Sequence, residues 1–267
     1  SLTCIFILFL QLRSRVSRIR ICFSYDYNDL MEIEHSIEDL AKFGSFEISF
    51  QHEKDIRNID VEDIRQLILA HGIEVSVVRV KQDRIADISR NIEDIADFLA
   101  SIGATMLVIW HPIGGENSLV EKLFDMLVNY GIILSFAVTS EEDLKEQEKL
   151  SERYRGNCKY AISTRIINDE ETLLDIMIEH IGDIGAIYVS NIERNTMKNG
   201  IPIFDTRGII DFKPLIKLLL ELEYDGYFIL EYERNHISEY LNDARSLLEY
   251  ITSPTISKSF EDLYTAA

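Results

Sequence analysis

The stretch YDGYFILEYE, residues 224–233, carries an apolar run into two carboxylates, Glu231 and Glu233. A carboxylate at the end of a buried segment can move a proton as an acid/base or bind a hydroxyl. The alternative is that Glu231 only balances a basic partner such as Arg79 or Arg165. His111, in WHPIGG, could act as a general acid or touch a ligand; otherwise it packs at a strand end against a hydrogen-bonded neighbour. The Gly-Gly pair that follows could hinge a small lid. Glu47, in SFEISF, reads first as a brace and second as a ligand contact. Arg79 and Arg165 could each hold a carboxylate or phosphate, or pair with Glu47 or Glu231. Tyr188 is expected to line a pocket, because an ordinary phenol, with a pKa near ~10, is a poor acid at neutral pH. His52 and His236 are expected at the surface. No GxSxG, phosphate loop or Cys–His pair of familiar spacing occurs, so the sequence gives no sign of a nucleophilic triad.

The segments that must position these groups alternate in type. Eight short runs rich in β-branched and aromatic residues read as buried strands: 18–25, 45–50, 72–80, 105–110, 131–138, 158–163, 185–190 and 226–232. Between them lie helical patterns, such as Ile88, Ile92, Ile95 and Leu99 at three- and four-residue spacing. Gly72, Gly103, Gly131, Gly156 and Gly182 follow such stretches and suit left-handed C-caps. The charge run EEDLKEQEKLSER reads as a solvated helix face. Eightfold strand–helix alternation predicts an α/β protein, a single (β/α)8 TIM barrel, whose site lies at the C-terminal ends of the strands. Within 226–232, alternation puts Tyr227, Ile229 and Glu231 on the inward face, with Glu231 at the rim. The longest connection, 191–213, joins the seventh and eighth strands, and long loops in compact domains are often functional.

Composition narrows the partners. The chain has 267 residues, 46 acidic against 27 basic, for a net charge of -19. So acidic a surface repels phosphate backbones, so no nucleic acid partner is expected. The cysteines, Cys4, Cys22 and Cys158, form no CxxC and no disulfide framework, which suits a reduced, cytoplasmic setting. Residues 1–18 read as an extension, apolar and then basic. That order is the reverse of a secretory signal, and the apolar run is shorter than the ~20 residues a span needs. It is expected to pack on the body or to be a foreign leader, with no membrane attachment. The barrel is expected over 19–252, with a tail or short helix over 253–267.

The segment TRGIIDFKPLIKLLLELEYDGYFILEYE (206–233) resembles the closing segment of the xylose isomerase-like barrels, through Gly208, Asp211, Phe212, Tyr224, Gly226 and Glu231. That superfamily includes sugar isomerases and epimerases, inosose dehydratases and type-IV AP endonucleases. KFGSFEISF, with Glu47, resembles its second strand, and VIWHPIGG, with His111 and Pro112, its fourth; the likeness covers about residues 19–250. In the metal-dependent sugar enzymes a divalent cation is held by a Glu, an Asp, a His and a Glu on strands five to eight, and the two Glu residues move a proton between adjacent carbons. Here Ala137, Ser163 and Tyr188 stand where the first three belong, with Ile166 and Asn191 at two accompanying positions; only Glu231 matches. No cofactor is therefore expected, although the resemblance implies a metal. The resemblance implies a small sugar-like ligand and a sugar, sugar phosphate or polyol isomerase/epimerase without the usual metal. Glu231 and His111 would be catalytic, with Glu47, Arg79, Ser163, Arg165, Tyr188 and Asn191 around the ligand and an arginine offsetting the enediolate. Two alternatives stand beside it. One is a non-catalytic barrel binding a small polar or anionic ligand or a protein; the other is a lyase or hydrolase step on the same scaffold.

Overall fold

The structure is a computed structural model, and it describes residues 19–253 except 82, 112–116, 155, 168 and 234–235. The extension 1–18, the tail beyond 253 and the Gly-Gly pair after His111 lie outside the described residues. Eight parallel strands close a barrel: β1 (Arg20–Asp26), β2 (Ser45–Phe50), β3 (Val75–Val80), β4 (Met106–Ile109), β5 (Ile133–Ala137), β6 (Cys158–Ser163), β7 (Ile184–Val189) and β10 (Tyr227–Leu230). Their order around the barrel is β1-β10-β7-β6-β5-β4-β3-β2. Each of the eight apolar runs read from the sequence supplies one of them. This is the (β/α)8 barrel, with helices on the outside between successive strands.

Side chains alternate about the wall. Outward residues such as Phe46, Val78, Leu107, Phe136, Ile187 and Phe228 are buried under the helices in one continuous apolar shell. Inward residues form a second cluster: Cys22, Val77, Met106, Val108, Ala161, Ala186, Tyr188, Tyr227 and Ile229. The barrel is therefore a filled core with both faces of its strands buried. At its N-terminal end the Tyr227 hydroxyl meets Thr105 Oγ1 at 2.8 Å and accepts from Arg20 Nη1 at 3.3 Å.

The helix ends follow the glycine pattern at four positions. Gly72, Gly103, Gly131 and Gly156 have φ between +61° and +85°, while Gly182 does not take a positive φ and lies in a short 3-10 turn, Ile181–Asp183. The acidic helix Glu141–Arg153 is less solvated than its charge run suggests. Asp143, Gln147 and Leu150 are buried along one side, and Gln147 Nε2 donates to the carbonyls of Phe136 and Ala137 at 3.2 Å each.

The Tyr-x-Gly turn before β10 has a packing reason. The Tyr224 hydroxyl donates to the Tyr227 carbonyl at 3.1 Å, and a Cβ on Gly226 would sit 2.3 Å from that hydroxyl and 2.6 Å from the Gly185 carbonyl. Gly226→Ala is therefore expected to destabilise the barrel by about 3 kcal/mol in urea unfolding, through overpacking against backbone that cannot give way.

Candidate functional site

Alternation aims a set of polar side chains at the C-terminal mouth. Along β1 the inward residues are Cys22, Ser24 and Asp26; along β2 they are Ser45, Glu47 and Ser49. Register pairs Ser24 with Glu47 and Ser49 with Arg79. Across the barrel, Ile229 lies level with Tyr188, and Tyr188 with Ser163. Closing the sheet between β1 and β10 is what brings Glu231 beside groups more than 150 residues earlier in the chain.

Arg79 is the centre of the cluster. Its Nη2 donates to Glu231 Oε1 at 2.6 Å and to Ser24 Oγ at 3.2 Å. Its Nε lies 3.0 Å from Glu47 Oε1, an ion pair without hydrogen-bond alignment. Ser24 Oγ donates to the same Glu47 oxygen at 2.8 Å, and the Tyr188 hydroxyl donates to the other. The guanidinium also lies over two rings, 4.5 Å from the centroid of Tyr188 and 5.3 Å from that of Trp110. Those rings meet edge-on at 4.8 Å. The residues opposite are small: Ser135 and Ala137 on β5, Ala161 and Ser163 on β6. They leave the width that Trp110, Tyr188 and Arg79 take up.

Burial and charge set the protonation states. Burial alone would raise the Glu231 carboxyl, but the charges of Arg79 and Arg165 outweigh it and hold the pKa below the ordinary carboxylate value. For Glu47 burial wins over Arg79 and the pKa rises. Burial, and then the negative Glu47, push the Tyr188 phenol well above its ordinary value. Burial would lower Arg79, but Glu231 and Glu47 more than compensate, so it stays charged. Exposure separates the two acids. The Glu47 side chain is fully buried, whereas Glu231 keeps 15% of its side-chain surface in solvent.

Arg165 approaches Glu231 from β6 with 30% of its side chain exposed. Its Nη2 donates to the Glu231 carbonyl at 2.9 Å, its Nε donates to Ser190 Oγ at 3.2 Å, and Nε lies 3.7 Å from Glu231 Oε2. Ser163 Oγ accepts the Arg165 backbone N–H at 3.2 Å, so Ser163 positions this arginine. At the rim, Lys81 Nζ donates to Asp26 Oδ1 at 2.7 Å. His111 is half-buried just past Trp110 at the end of β4.

Asn191 is engaged elsewhere. Its amide donates to the carbonyls of Ile203 and Ile210 at 3.3 and 2.9 Å and accepts from the Ile210 and Ile192 N–H groups at 3.0 and 2.9 Å. A Cβ on Gly208 would sit 2.0 Å from this amide. Asn191 thus knots the long connection after β7. That connection forms a hairpin of β8 (Asn191–Ile192) and β9 (Asn199–Ile201), which returns to the end of β10 where Glu233 N–H donates to the Gly200 carbonyl at 2.9 Å. His52 lies outside the cluster, its Nδ1 2.8 Å from Asp83, and His236 is exposed at the start of helix Ile237–Ile251.

Sequence reasoning missed Ser24 and Trp110. Ser24 is two residues past the inward Cys22, and Trp110 immediately precedes His111, so strand parity was the signal for both.

Asp243, on the last helix, fastens the same connection. It accepts from the Ile203 N–H at 2.7 Å and from the Tyr232 hydroxyl. Burial raises its pKa from 3.8 to about 6. The folded state therefore keeps a proton that the unfolded state gives up as pH rises from 3.8 to about 6. Stability falls across that window, and the ionised group costs about 3 kcal/mol above it. Asp243→Asn keeps an acceptor without the charge. It is expected to gain stability relative to the parent as pH rises from 4 to 7, read by urea unfolding across pH.

No family model matches the sequence, and no curated protein matches it. Solved structures do. A sugar phosphate isomerase/epimerase from Parabacteroides distasonis superposes with a TM-score of 0.62 at 13% identity, over 88% of this chain and 95% of that one. A xylose isomerase domain protein from Planctomyces limnophilus gives 0.64 at 17%, over 92% and 99%. A D-tagatose 3-epimerase-like protein gives 0.63 at 13%, over 91% and 100%. At such identities the likeness is one of fold: the chain is a closed (β/α)8 barrel, similar in fold to these three structures.

Proposed function

We propose that this barrel acts on a sugar, sugar phosphate or similar polyol as an isomerase or epimerase, with Glu231 transferring the proton between adjacent carbons. The observation that carries this reading is the placement of Glu231. It reaches the solvent of the mouth and lies between two arginines that favour its ionised form, while its companion Glu47 is sealed beneath. The Glu231 carboxylate takes a proton from the carbon next to a carbonyl; the C–H electron pair becomes a C=C bond and the carbonyl oxygen becomes an enolate. The part-exposed Arg165 offsets that charge. Isomerisation follows when the proton of the adjacent hydroxyl moves to the former carbonyl oxygen, Glu231 returns its proton to the former carbonyl carbon and the deprotonated oxygen becomes the new carbonyl; epimerisation follows when a second acid protonates the original carbon from the opposite face and the carbonyl re-forms. His111, half-buried at the neighbouring rim, is the candidate second proton carrier. Trp110 offers an apolar flank for the C–H face of a ring.

The metal implied by the sequence resemblance does not suit these residues. Among the described residues no three of His, Cys, Asp and Glu converge as ligands, and the two carboxylates of the cluster already face a guanidinium. Tight Mg²⁺ or Mn²⁺ binding needs several oxygen ligands with compensating negative charge.

A second reading rests on the 2.6 Å bond from Arg79, which occupies one oxygen of Glu231. A carboxylate so clamped suits ligand binding without turnover. The test is a panel of aldoses, ketoses, their phosphates and polyols followed by NMR. Interconversion of one member supports catalysis. Saturable binding with no interconversion supports the binding barrel, and the absence of both interconversion and binding removes both readings.

A further inference from the structure

We propose that Arg79 is a built-in cation: its guanidinium fills a two-carboxylate pocket in the barrel mouth that would accept a divalent metal ion if the arginine were absent. The proposal rests on the metal-free reading above and deepens it by naming what replaces the ion.

The geometry is that of a seated cation. Arg79 rises from β3 with 3% of its side chain exposed and reaches Glu231 on the far strand β10. Three oxygens face it: Glu47 Oε1 at 3.0 Å, Glu231 Oε1 at 2.6 Å and Ser24 Oγ at 3.2 Å. Two aromatic faces, Tyr188 and Trp110, close its other sides. With the guanidinium gone, the two carboxylates and the hydroxyl, completed by waters, are a donor set that a hard divalent ion can use. Two carboxylates cannot both stay ionised beside each other in a buried site without a positive charge between them. A guanidinium supplies one charge permanently, since it does not deprotonate and cannot be removed by a chelator.

The test measures metal binding, not turnover, so it can fail while the isomerase reading stands, and the reverse. Mn²⁺ alone is titrated into chelator-stripped wild type and Arg79→Ala, followed by electron paramagnetic resonance and elemental analysis. The expected result is no stoichiometric Mn²⁺ in wild type and one per chain in Arg79→Ala. Arg79→Ala with Glu47→Gln should lose that ion. Because Arg79→Ala carries unpaired buried acids, its thermal unfolding is recorded with and without millimolar Mn²⁺ and, separately, guanidinium. Both cations should raise its midpoint and leave wild type unmoved. A folded Arg79→Ala that holds no Mn²⁺ would overturn the proposal, as would an unfolded one that neither cation rescues. So would a stoichiometric Mn²⁺ in wild type that Glu231→Gln abolishes, whatever the variant does.

Discussion

Arg79→Met is expected to destabilise the protein by about 3–5 kcal/mol in urea unfolding at pH 7, the largest loss from any single change at the mouth. Methionine fills much of the volume, so the loss is electrostatic. Glu47 and Glu231 are left facing each other with their countercharge gone, and the Glu47 side chain has no exposed surface through which water can compensate. The loss should shrink as pH falls, because protonation removes the uncompensated charges. Adding Glu47→Gln to Arg79→Met removes one of those charges, so the double variant should be more stable than Arg79→Met alone. That non-additivity is the signature of one coupled cluster. A loss below about 1 kcal/mol, typical of surface ion pairs, would show that the guanidinium does not hold the mouth together.

The second large effect falls on chemistry. Glu231→Gln is expected to slow proton transfer by about 10²–10⁴-fold, the usual worth of a positioned acid/base, with a much smaller change in substrate binding. The shape is nearly unchanged, Arg79 keeps Glu47, and Arg165 keeps its bond to the residue 231 carbonyl. Glu231 works as the ionised base, and Arg79 and Arg165 hold its pKa below 4.5. Activity should therefore be flat through neutral pH. It should fall only as pH drops below the ordinary carboxylate range, where the base takes up a proton. A rate lost already between pH 6 and 7 would show that a group other than Glu231 sets the pH dependence. Unchanged turnover in Glu231→Gln would remove it from the chemistry.

The architecture was legible because each strand is a short apolar run bounded by helix and turn signals, and parity then aimed Glu231 into the mouth. The closing-segment motif was legible for a related reason: most of it is structural. Gly226 makes room for Tyr224, Gly208 makes room for Asn191, Phe212 is buried, and Asp211 caps its helix by accepting the Lys213 N–H at 3.0 Å. Pairing was harder to read. Arg79 could be expected to meet Glu47 or Glu231, but that it meets both at once follows only from barrel closure, which joins β1 to β10. Asn191 shows the limit of position without partners. The resemblance put it beside the ligand, and its amide is engaged by loop backbone whose fold no local pattern announces. The buried side of the acidic helix was hidden in the same way, because Gln147 is polar in sequence and buries itself by bonding two strand-end carbonyls.

The most direct measurement of the central claim is deuterium incorporation in D2O. Wild type and Glu231→Gln are each incubated, in the presence of a chelator, with the sugar panel, and exchange at the carbon beside the carbonyl is read by NMR. The account predicts that wild type exchanges one such hydrogen in at least one sugar, undiminished by the chelator, and that Glu231→Gln does so at least about 100-fold more slowly. Exchange that persists in Glu231→Gln, or that appears in wild type only when a divalent metal is supplied, would contradict it.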